Sequence, residues 1–293
     1  MPRSLVALLL FLMVLAGHAV AMAAAPTATI GAEQLPVSVS RPDGPGPFPA
    51  VVIMHDCSGL GPRSSGAPGR WAKELVTRGY VVVVPDSFTP RGHADGVCTT
   101  PVSQRRTDVT PARRAHDAYE ALAYARSLPG VDGRRVGIMG GSHGGTTTLN
   151  AMMATERGSD AAAGDTAGGF AAGVALYPRC VADTYRPVAP LLILIGDKDD
   201  WTPAEPCRKL AEAVRAAGHP VTIKIYPGAH HSFDSPRPER YLATRINPNE
   251  PGGRGATTGG DPVAWADSIR EVAAFFERHL GSTKASDKGA VKP

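Results

Sequence analysis

Short apolar runs alternate with longer amphipathic segments along most of the chain. The runs predict buried strands at 50–54, 80–84, 136–139, 170–177, 191–195 and 221–226. The amphipathic segments predict helices at 71–78, 111–128, 204–217 and 265–280. Strands that are apolar throughout and alternate with helices indicate a mostly parallel sheet with helices on both faces. The pattern therefore predicts an α/β fold whose ligand site lies at the carboxyl ends of the strands.

The first residues do not follow this pattern. Arg3 precedes an apolar run at 5–16 and a stretch of small residues at 19–25, which is typical of a secretory signal peptide. The run is shorter than the about 20 residues that span a membrane. We therefore expect export to the periplasm or the medium, with no membrane attachment after cleavage at Ala21, Ala23 or Ala25.

Residues 26–280 are expected to form one domain, because no linker-like stretch divides them. Within this domain, the segment 235–262 is rich in glycine, proline and arginine and is interpreted as a long surface loop. Residues 281–293 are expected to be a disordered tail. The sequence gives no indication of the oligomeric state.

The net charge of the chain gives no reason to expect a nucleic-acid partner. The formal net charge is +4, but most of it lies at the two ends of the chain. Three lysines against one aspartate after residue 280, together with Arg3, account for three of these four charges. The near-neutral body lacks the basic patch that nucleic-acid binding requires.

The chain contains four cysteines, and their pairing depends on the compartment in which the protein resides. An even number in an exported protein favours two disulfides, and buried free thiols are the alternative. No CxxC pair is present, so a metal site is not expected. The four residues are Cys57, Cys98, Cys180 and Cys207.

The segment 136–145, VGIMGGSHGG, is the most informative part of the sequence. A short apolar strand followed at once by G-x-S-x-G is typical of the nucleophile elbow, in which a sharp turn exposes a serine hydroxyl. Gly140 and Gly144 suit this turn, because a side chain at either position would collide with the neighbouring backbone. A helix beginning at Ser142 directs its free N–H groups and its positive dipole end at any negative charge that forms there.

A serine hydroxyl becomes a nucleophile when a histidine, oriented by a carboxylate, removes its proton. On this fold the order along the chain is serine, acid, histidine. The loops after the strands at 191–195 and 221–226 supply three acids and two histidines in that order: Asp197, Asp199, Asp200, His230 and His231. The sequence therefore predicts a catalytic triad with Ser142 as its nucleophile.

An oxyanion hole needs two N–H donors, each typically worth about 3–4 kcal/mol in the transition state. His143, directly after the nucleophile, is expected to supply one. The loop at 55–60, after the first predicted strand, is expected to supply the other, with Cys57 as the candidate donor.

Taken together, these segments resemble the dienelactone hydrolase family of α/β hydrolases, and in particular its exported members with a serine nucleophile. The matching segments are 51–60, 84–88, 140–145, 196–203 and 226–233. The resemblance implies the α/β-hydrolase fold and a serine hydrolase that cleaves a small carboxylic ester or lactone through an acyl-enzyme. It also implies that no metal or organic cofactor takes part.

The resemblance selects among the candidate residues. The family's acid follows a glycine by three positions and precedes a proline by four, which selects Asp199. Its histidine precedes a phenylalanine by two, which selects His231. Asp56 and Trp201 are then expected to contact the substrate. The position of the cysteines after neighbouring strands predicts the pairs Cys57–Cys98 and Cys180–Cys207.

Two features depart from the best-known members of the family. Those members carry cysteine in place of Ser142 and glutamate in place of Asp56, and their arginines hold the carboxylate of the substrate. A dienelactone substrate therefore does not follow for this chain. Four arginines could reach an anionic group of a substrate, but they are interpreted as ordinary surface residues: Arg63, Arg91, Arg105 and Arg106.

Two alternative functions are compatible with the same segments. A peptidase of the prolyl-oligopeptidase type uses a similar catalytic core, but it usually adds a large second domain that this sequence lacks. A binding module on a hydrolase scaffold is the alternative from a different class, since a fold does not prove a function.

Overall fold

The computed structural model describes residues 28–100, 109–153, 168–181 and 185–281. The strands within these ranges are β1 Ala28–Ile30, β2 Leu35–Ser40, β3 Phe48–Met54, β4 Val81–Pro85, β5 Val131–Gly141, β6 Gly173–Leu176, β7 Leu191–Gly196, β8 Val221–Tyr226, β9 Arg240–Ile246 and β10 Arg254–Thr258. The α-helices are α1 Ala67–Val76, α2 Pro111–Ser127, α3 His143–Ala151, α4 Ala204–Ala216 and α5 Pro262–Leu280. The predicted signal peptide lies outside the described residues, as does the predicted tail apart from Gly281.

An eight-stranded sheet forms the centre of the molecule, in the order β1-β2-β4-β3-β5-β6-β7-β8. Strands β1 and β2 are antiparallel, and β2 pairs antiparallel with β4. Every neighbouring pair from β4 to β8 is parallel. This arrangement confirms the predicted α/β fold with a mostly parallel sheet and flanking helices.

The apolar runs of the sequence form the inner strands. Every residue of β4, β6 and β7 is buried, because neighbouring strands and helices surround these segments. The edge strand β8 is buried only at its two ends, Val221 and Tyr226. Among the helices that the structure describes, none is long and apolar enough to cross a membrane.

Two parts of the fold differ from the sequence prediction. Strands β1 and β2 were not predicted, because they are short and alternate buried with exposed residues; Leu35 and Val37 point into the core. The segment 235–262 is a surface excursion, but it contains regular structure that was not predicted, since β9 and β10 form an antiparallel hairpin there. The mostly exposed residues of β9 give no apolar run that would reveal a strand.

The sheet order brings the predicted functional loops together. β3 pairs in parallel with β5, with Met54 opposite Gly140, so the loops that follow these two strands lie side by side. β7 pairs in parallel with β8, which likewise brings their following loops together. All four loops leave the carboxyl edge of the sheet, where ligands bind in open α/β folds.

Candidate active site

Ser142 lies at the turn between β5 and α3. Its backbone angles, φ 55° and ψ −118°, belong to a region that residues with a side chain rarely occupy. Close packing of the surrounding backbone explains the flanking glycines. A Cβ on Gly140 would lie 2.5 Å from the carbonyl carbon of Gly144, and a Cβ on Gly144 would lie 2.0 Å from the carbonyl oxygen of Met54. The turn has the geometry of a nucleophile elbow.

A chain of hydrogen bonds runs from Ser142 through His231 to Asp199. Ser142 Oγ lies 2.9 Å from His231 Nε2, and His231 Nδ1 lies 2.8 Å from Asp199 Oδ2. All three residues are buried. The acid follows β7 and the histidine follows β8, so the pairing of these strands brings both side chains to Ser142.

Asp199 is held by several donors. The backbone N–H groups of Trp201 and Thr202 donate to Oδ1 at 3.0 and 2.7 Å. The Thr202 hydroxyl lies 2.9 Å from Asp199 Oδ2 and 3.0 Å from His231 Nδ1. These contacts compensate the buried carboxylate for lost hydration and fix Oδ2 against the imidazole.

The neighbouring acids and histidine make other contacts. Asp197 accepts the backbone N–H of Gly228 at 2.7 Å, and Asp200 accepts that of Thr257 at 2.9 Å. His230 Nε2 lies 3.3 Å from the carboxylate of Glu239. Of the candidate acids and histidines, the structure therefore brings only Asp199 and His231 into the chain that ends at Ser142.

Cys57 and His143 lie on the two loops that were predicted to form the oxyanion hole. Cys57 follows β3, and His143 is the first residue of α3. Among the described residues, none accepts a hydrogen bond from the backbone N–H of Cys57. The Cys57–Cys98 and Cys180–Cys207 disulfides are both present, which confirms the predicted pairing. The first disulfide and the bond from Val97 N–H to the Cys57 carbonyl, 2.7 Å, fasten this loop.

Removing either disulfide is expected to lower the free energy of unfolding by about 3–4 kcal/mol, because each closes a loop of comparable length in the unfolded chain. The double variant Cys57→Ala/Cys98→Ala is also expected to lose about 10- to 100-fold in kcat, because the loop that carries the predicted N–H donor of residue 57 loses its covalent tether and the donor loses its fixed position. Cys180→Ala/Cys207→Ala is the matched control and keeps its kcat. Urea unfolding and ester turnover measure both effects; an equal loss of kcat in the two variants would contradict the prediction.

The Arg114 guanidinium is fully buried and contacts both segments that were predicted to form the oxyanion hole. Its Nη1 lies 2.7 Å from His143 Nδ1, and its Nη2 donates to the His55 carbonyl oxygen at 2.9 Å. It also packs 4.8 Å from the centre of the Phe88 ring. Burial lowers the pKa of Arg114 to about 10, so the side chain is charged at neutral pH. A buried positive charge beside the two loops favours negative charge at the oxyanion position.

His55 is a buried neutral histidine on the same loop. Its Nδ1 lies 2.9 Å from the Asp56 carbonyl oxygen, to which it donates, and its Nε2 accepts the Ser87 N–H at 3.2 Å. Burial, together with the positive charge of Arg114, lowers the pKa of His55 well below its ordinary value. Protonation would break the bond from Ser87 and place a second positive charge beside Arg114.

This burial predicts a loss of stability in mild acid. Below the unfolded pKa of about 6.5, the unfolded chain protonates His55 while the folded chain does not, so the free energy of unfolding falls by up to about 1.4 kcal/mol per pH unit. The variant His55→Gln should lose this part of the slope between about pH 6.5 and 5. His116→Gln, at an exposed position, should keep it. Urea unfolding across this range tests the prediction, which fails if His55→Gln retains the full slope.

Two cavities meet at Ser142. The arginine pocket, about 80 Å³, also borders His231 and is lined by two aspartates, Asp56 and Asp234, and by five arginines: Arg63, Arg70, Arg237, Arg240 and Arg245. The apolar pocket, about 440 Å³, borders His143, and most of its surface is apolar. Its apolar lining residues are Cys57, Val109, Pro111, Trp201, Ile246 and Pro248, and one arginine, Arg179, also lines it. The nucleophile is thus open to two chemically different spaces.

The arginine pocket is rich in unpaired positive charge. Of its five arginines, only Arg63 has a carboxylate within ion-pair distance among the described residues, the exposed Asp95 at 3.8 Å. The Arg245 guanidinium lies 5.6 Å from the centre of the Trp201 ring, and its buried Nε has no hydrogen-bond partner in this part of the chain. The carboxylate of Asp56 is occupied by the Ser58 N–H, at 2.7 Å, and by two serine hydroxyls.

The β9–β10 hairpin borders both pockets and holds the catalytic loops. Trp201 Nε1 donates to the Ile246 carbonyl oxygen at 2.8 Å, and the buried Asn247 amide donates to the Asp200 carbonyl oxygen at 3.0 Å. Thr258 at the end of β10 forms a β-bridge with His231. The hairpin therefore connects the acid loop with the histidine loop and contributes Arg240 and Arg245 to the arginine pocket.

The residues that were considered for substrate contact lie in different places in the structure. Asp56 lines the arginine pocket and Trp201 lines both pockets, next to Ser142. Arg63 is exposed and lines the arginine pocket. The interpretation of Arg91 as a surface residue is wrong, because its buried guanidinium binds Asp117 at 2.7 and 2.8 Å. The remaining two arginines of that prediction, 105 and 106, lie outside the described residues.

Sequence analysis missed four arginines of the pocket: Arg70, Arg237, Arg240 and Arg245. The only signal was the richness in arginine of 235–262, which places three of them. Among the described residues, no group of three or more His, Cys, Asp or Glu side chains is arranged to hold a metal ion.

The arrangement of elbow, acid loop and histidine loop is shared with a known family. Residues 35–280 match the profile of the dienelactone hydrolase family. The chain belongs to the dienelactone hydrolase family. This match extends from β2 to the end of α5 and includes the hairpin as well as every loop of the site.

Relatives within the dienelactone hydrolase family are distant. A Methylorubrum extorquens protein provisionally named carboxymethylenebutenolidase is 28% identical over 223 residues, which cover 71% of each chain. A Yersinia pestis protein with the same provisional name is 27% identical over 207 residues, which cover 69% of this chain and 75% of that one.

Solved structures share the fold. Apo esterase 2 of Thermogutta terrifontis superimposes with a TM-score of 0.63 at 18% identity, covering 89% of this chain and 97% of that chain. A provisionally named dienelactone hydrolase from Klebsiella pneumoniae gives a TM-score of 0.59 at 21% identity, covering 83% and 93%. These comparisons confirm the α/β-hydrolase fold.

Proposed function

We propose that this protein is an exported serine hydrolase that cleaves carboxylic esters or lactones through an acyl-enzyme. The observation that carries the proposal is the buried chain of hydrogen bonds from Ser142 Oγ to His231 and on to Asp199, at 2.9 and 2.8 Å. A nucleophile, a base and an acid that orients the base are the components that acyl transfer requires.

In the first half-reaction, Ser142 Oγ attacks the carbonyl carbon while its proton passes to His231 Nε2. The Asp199 carboxylate holds Nδ1–H and stabilises the imidazolium that forms. The carbonyl oxygen becomes an oxyanion and accepts N–H groups of Cys57 and His143, with the positive charge of Arg114 behind them. Collapse of the intermediate breaks the bond to the alcohol oxygen, which takes the proton from His231.

In the second half-reaction, water replaces the alcohol. It gives a proton to His231 Nε2 as it attacks the acyl carbon, and the same two N–H groups hold the second oxyanion. Ser142 then recovers its proton from His231 and the carboxylic acid is released. The residues described here are sufficient for both steps, so the proposed mechanism uses no metal or organic cofactor.

The lining of the arginine pocket favours a substrate that carries a carboxylate. Unpaired guanidinium groups attract and orient an anion, and Arg245 has a free, buried N–H for it. Asp56 is bound by Ser58 and Ser65, so its charge is partly compensated by their donors. We propose that Asp56 and Trp201 border the bound ester.

Export is also part of the proposal. Two disulfides persist in oxidising compartments and are uncommon in the cytosol, so their presence supports a periplasmic or secreted protein. A signal peptide followed by a small-residue cleavage site agrees with this destination.

Turnover of matched substrates tests the function. We expect the oxidised protein to hydrolyse 4-nitrophenyl acetate and the lactone dihydrocoumarin, and not a prolyl peptide 4-nitroanilide. Comparable kcat/KM on the anilide would favour the peptidase, because an amide is the harder bond to break. A folded protein that turns over none of the three would favour the binding module.

A further inference from the structure

The arginine pocket and the apolar pocket both open onto Ser142. The arginine pocket borders His231 but not His143, whereas the apolar pocket borders His143 but not His231. Cys57 lines both spaces, so the proton donor His231 is what distinguishes them: it adjoins the first space and not the second. This difference indicates which pocket binds the acyl group of an ester and which binds its alcohol group. The inference rests on the serine hydrolase function proposed above.

The leaving alcohol must lie on the side of His231. When the tetrahedral intermediate collapses, the carbon–oxygen bond to the alcohol breaks and that oxygen takes the proton from His231 Nε2. The acyl substituent needs no proton and occupies the remaining direction. We infer that the apolar pocket binds the acyl group and that the arginine pocket receives the alcohol, so the preferred substrate joins a bulky apolar acyl group to an anionic alcohol or phenol.

The size and lining of the apolar pocket fit this assignment. Its volume of about 440 Å³ is that of a small-ligand site and exceeds what an acetyl group fills. Val109, Ile246 and Trp201 present carbon surface to it. Each methylene buried there should raise kcat/KM about fourfold, up to the length at which the chain reaches the pocket wall.

The arginine pocket does not suit an apolar chain. Five arginines line it, and its volume of about 80 Å³ is much smaller than that of the apolar pocket. An anion on the leaving group can gain ionic hydrogen bonds from several arginines there, whereas an anion on the acyl group loses hydration in a mostly apolar space that Arg179 alone of the described arginines lines. The position of the charge in the substrate therefore matters as much as its presence.

An acyl-length series tests the acyl half. With 4-nitrophenol as the constant leaving group, we expect kcat/KM to rise about 250-fold from acetate to hexanoate, which adds four methylenes. Ile246→Trp fills the apolar pocket and should abolish this rise, measured as the ratio of kcat/KM for hexanoate to kcat/KM for acetate. Val263→Trp, at a position that is 80% exposed, is the matched control and should keep the wild-type series. A fall in kcat/KM with acyl length in the wild-type protein overturns the assignment.

A charge-placement experiment tests the leaving-group half. We expect 4-carboxyphenyl hexanoate to be favoured about tenfold over 4-carbamoylphenyl hexanoate, after each rate is divided by its rate with hydroxide. The 4-nitrophenyl monoester of adipic acid should instead be disfavoured against the hexanoate. Arg245→Gln should remove the preference for the anionic leaving group, whereas Arg254→Gln, exposed on the same hairpin, should not. A preference for the anion on the acyl side overturns the inference.

Different results would contradict the pocket assignment and the serine hydrolase function. If the acetate ester is hydrolysed in a Ser142-dependent reaction but the acyl or charge preferences are reversed, the pocket assignment is wrong and the serine hydrolase stands. If no ester in either series is hydrolysed by the folded protein, the proposed function itself is wrong.

Discussion

Replacing Ser142 by alanine is expected to lower kcat for a 4-nitrophenyl ester by about 10⁵-fold. The only atom removed is Oγ, which is the attacking atom of the proposed mechanism and the partner of His231 Nε2 at 2.9 Å. Activity above the level of the uncatalysed reaction would come from the oxyanion donors and from substrate binding, which alanine leaves in place. Steady-state turnover on highly purified protein measures the loss.

The same substitution should leave the fold intact. Alanine keeps the Cβ of serine, so the strained turn at φ 55° gains no new contact, and one lost hydrogen bond costs about 1 kcal/mol or less. Urea unfolding should therefore resemble that of the wild-type protein. Retention of more than a small fraction of kcat by the folded variant would mean that another residue is the nucleophile.

Replacing Gly144 by alanine is expected to lower the free energy of unfolding by more than about 4 kcal/mol, or to prevent folding. The added Cβ would lie 2.0 Å from the carbonyl oxygen of Met54 and 2.7 Å from that of His55. Both atoms belong to backbone at the end of the central strand β3, which is buried on all sides and cannot move aside. Relief of the collision requires the elbow and β3 to separate.

Gly69→Ala is the matched control for this prediction. Gly69 lies within α1, and a Cβ there would meet nothing within 4 Å. The same chemical change should therefore stabilise the protein by about 0.5–1 kcal/mol, because alanine favours the helix. Urea unfolding of both variants measures whether the free energy of unfolding falls in Gly144→Ala and rises in Gly69→Ala. Equal stability of Gly144→Ala and the wild-type protein would refute the close packing of the elbow.

The sheet and the elbow could be predicted because the sequence carries them in local patterns. Buried parallel strands such as β4 and β7 require continuous apolar runs, and the elbow requires glycine wherever backbones approach within contact. The choice of Asp199 and His231 over their neighbours came from the family resemblance. Composition alone does not distinguish Asp199 from Asp200, since their partners differ only in the folded chain.

The hairpin and the arginine pocket could not be predicted in the same way. β9 lies outside the main sheet with mostly exposed residues, so its side chains show no apolar periodicity. Its contacts with the acid and histidine loops are made largely by backbone carbonyl groups and by Asn247, which carry little sequence signal. The burial of Arg91 could not be predicted either, because its partner Asp117 lies in α2 and meets it only in the folded chain.

The central claim is that Ser142 is a nucleophile activated by His231. The most direct test is to treat the oxidised protein with a fluorophosphonate and to identify the modified peptide by mass spectrometry. We expect a single stoichiometric adduct on Ser142 in the wild-type protein and none in His231→Ala, with circular dichroism showing that both are folded. An adduct on another residue, or no adduct on the folded wild-type protein, would contradict the account.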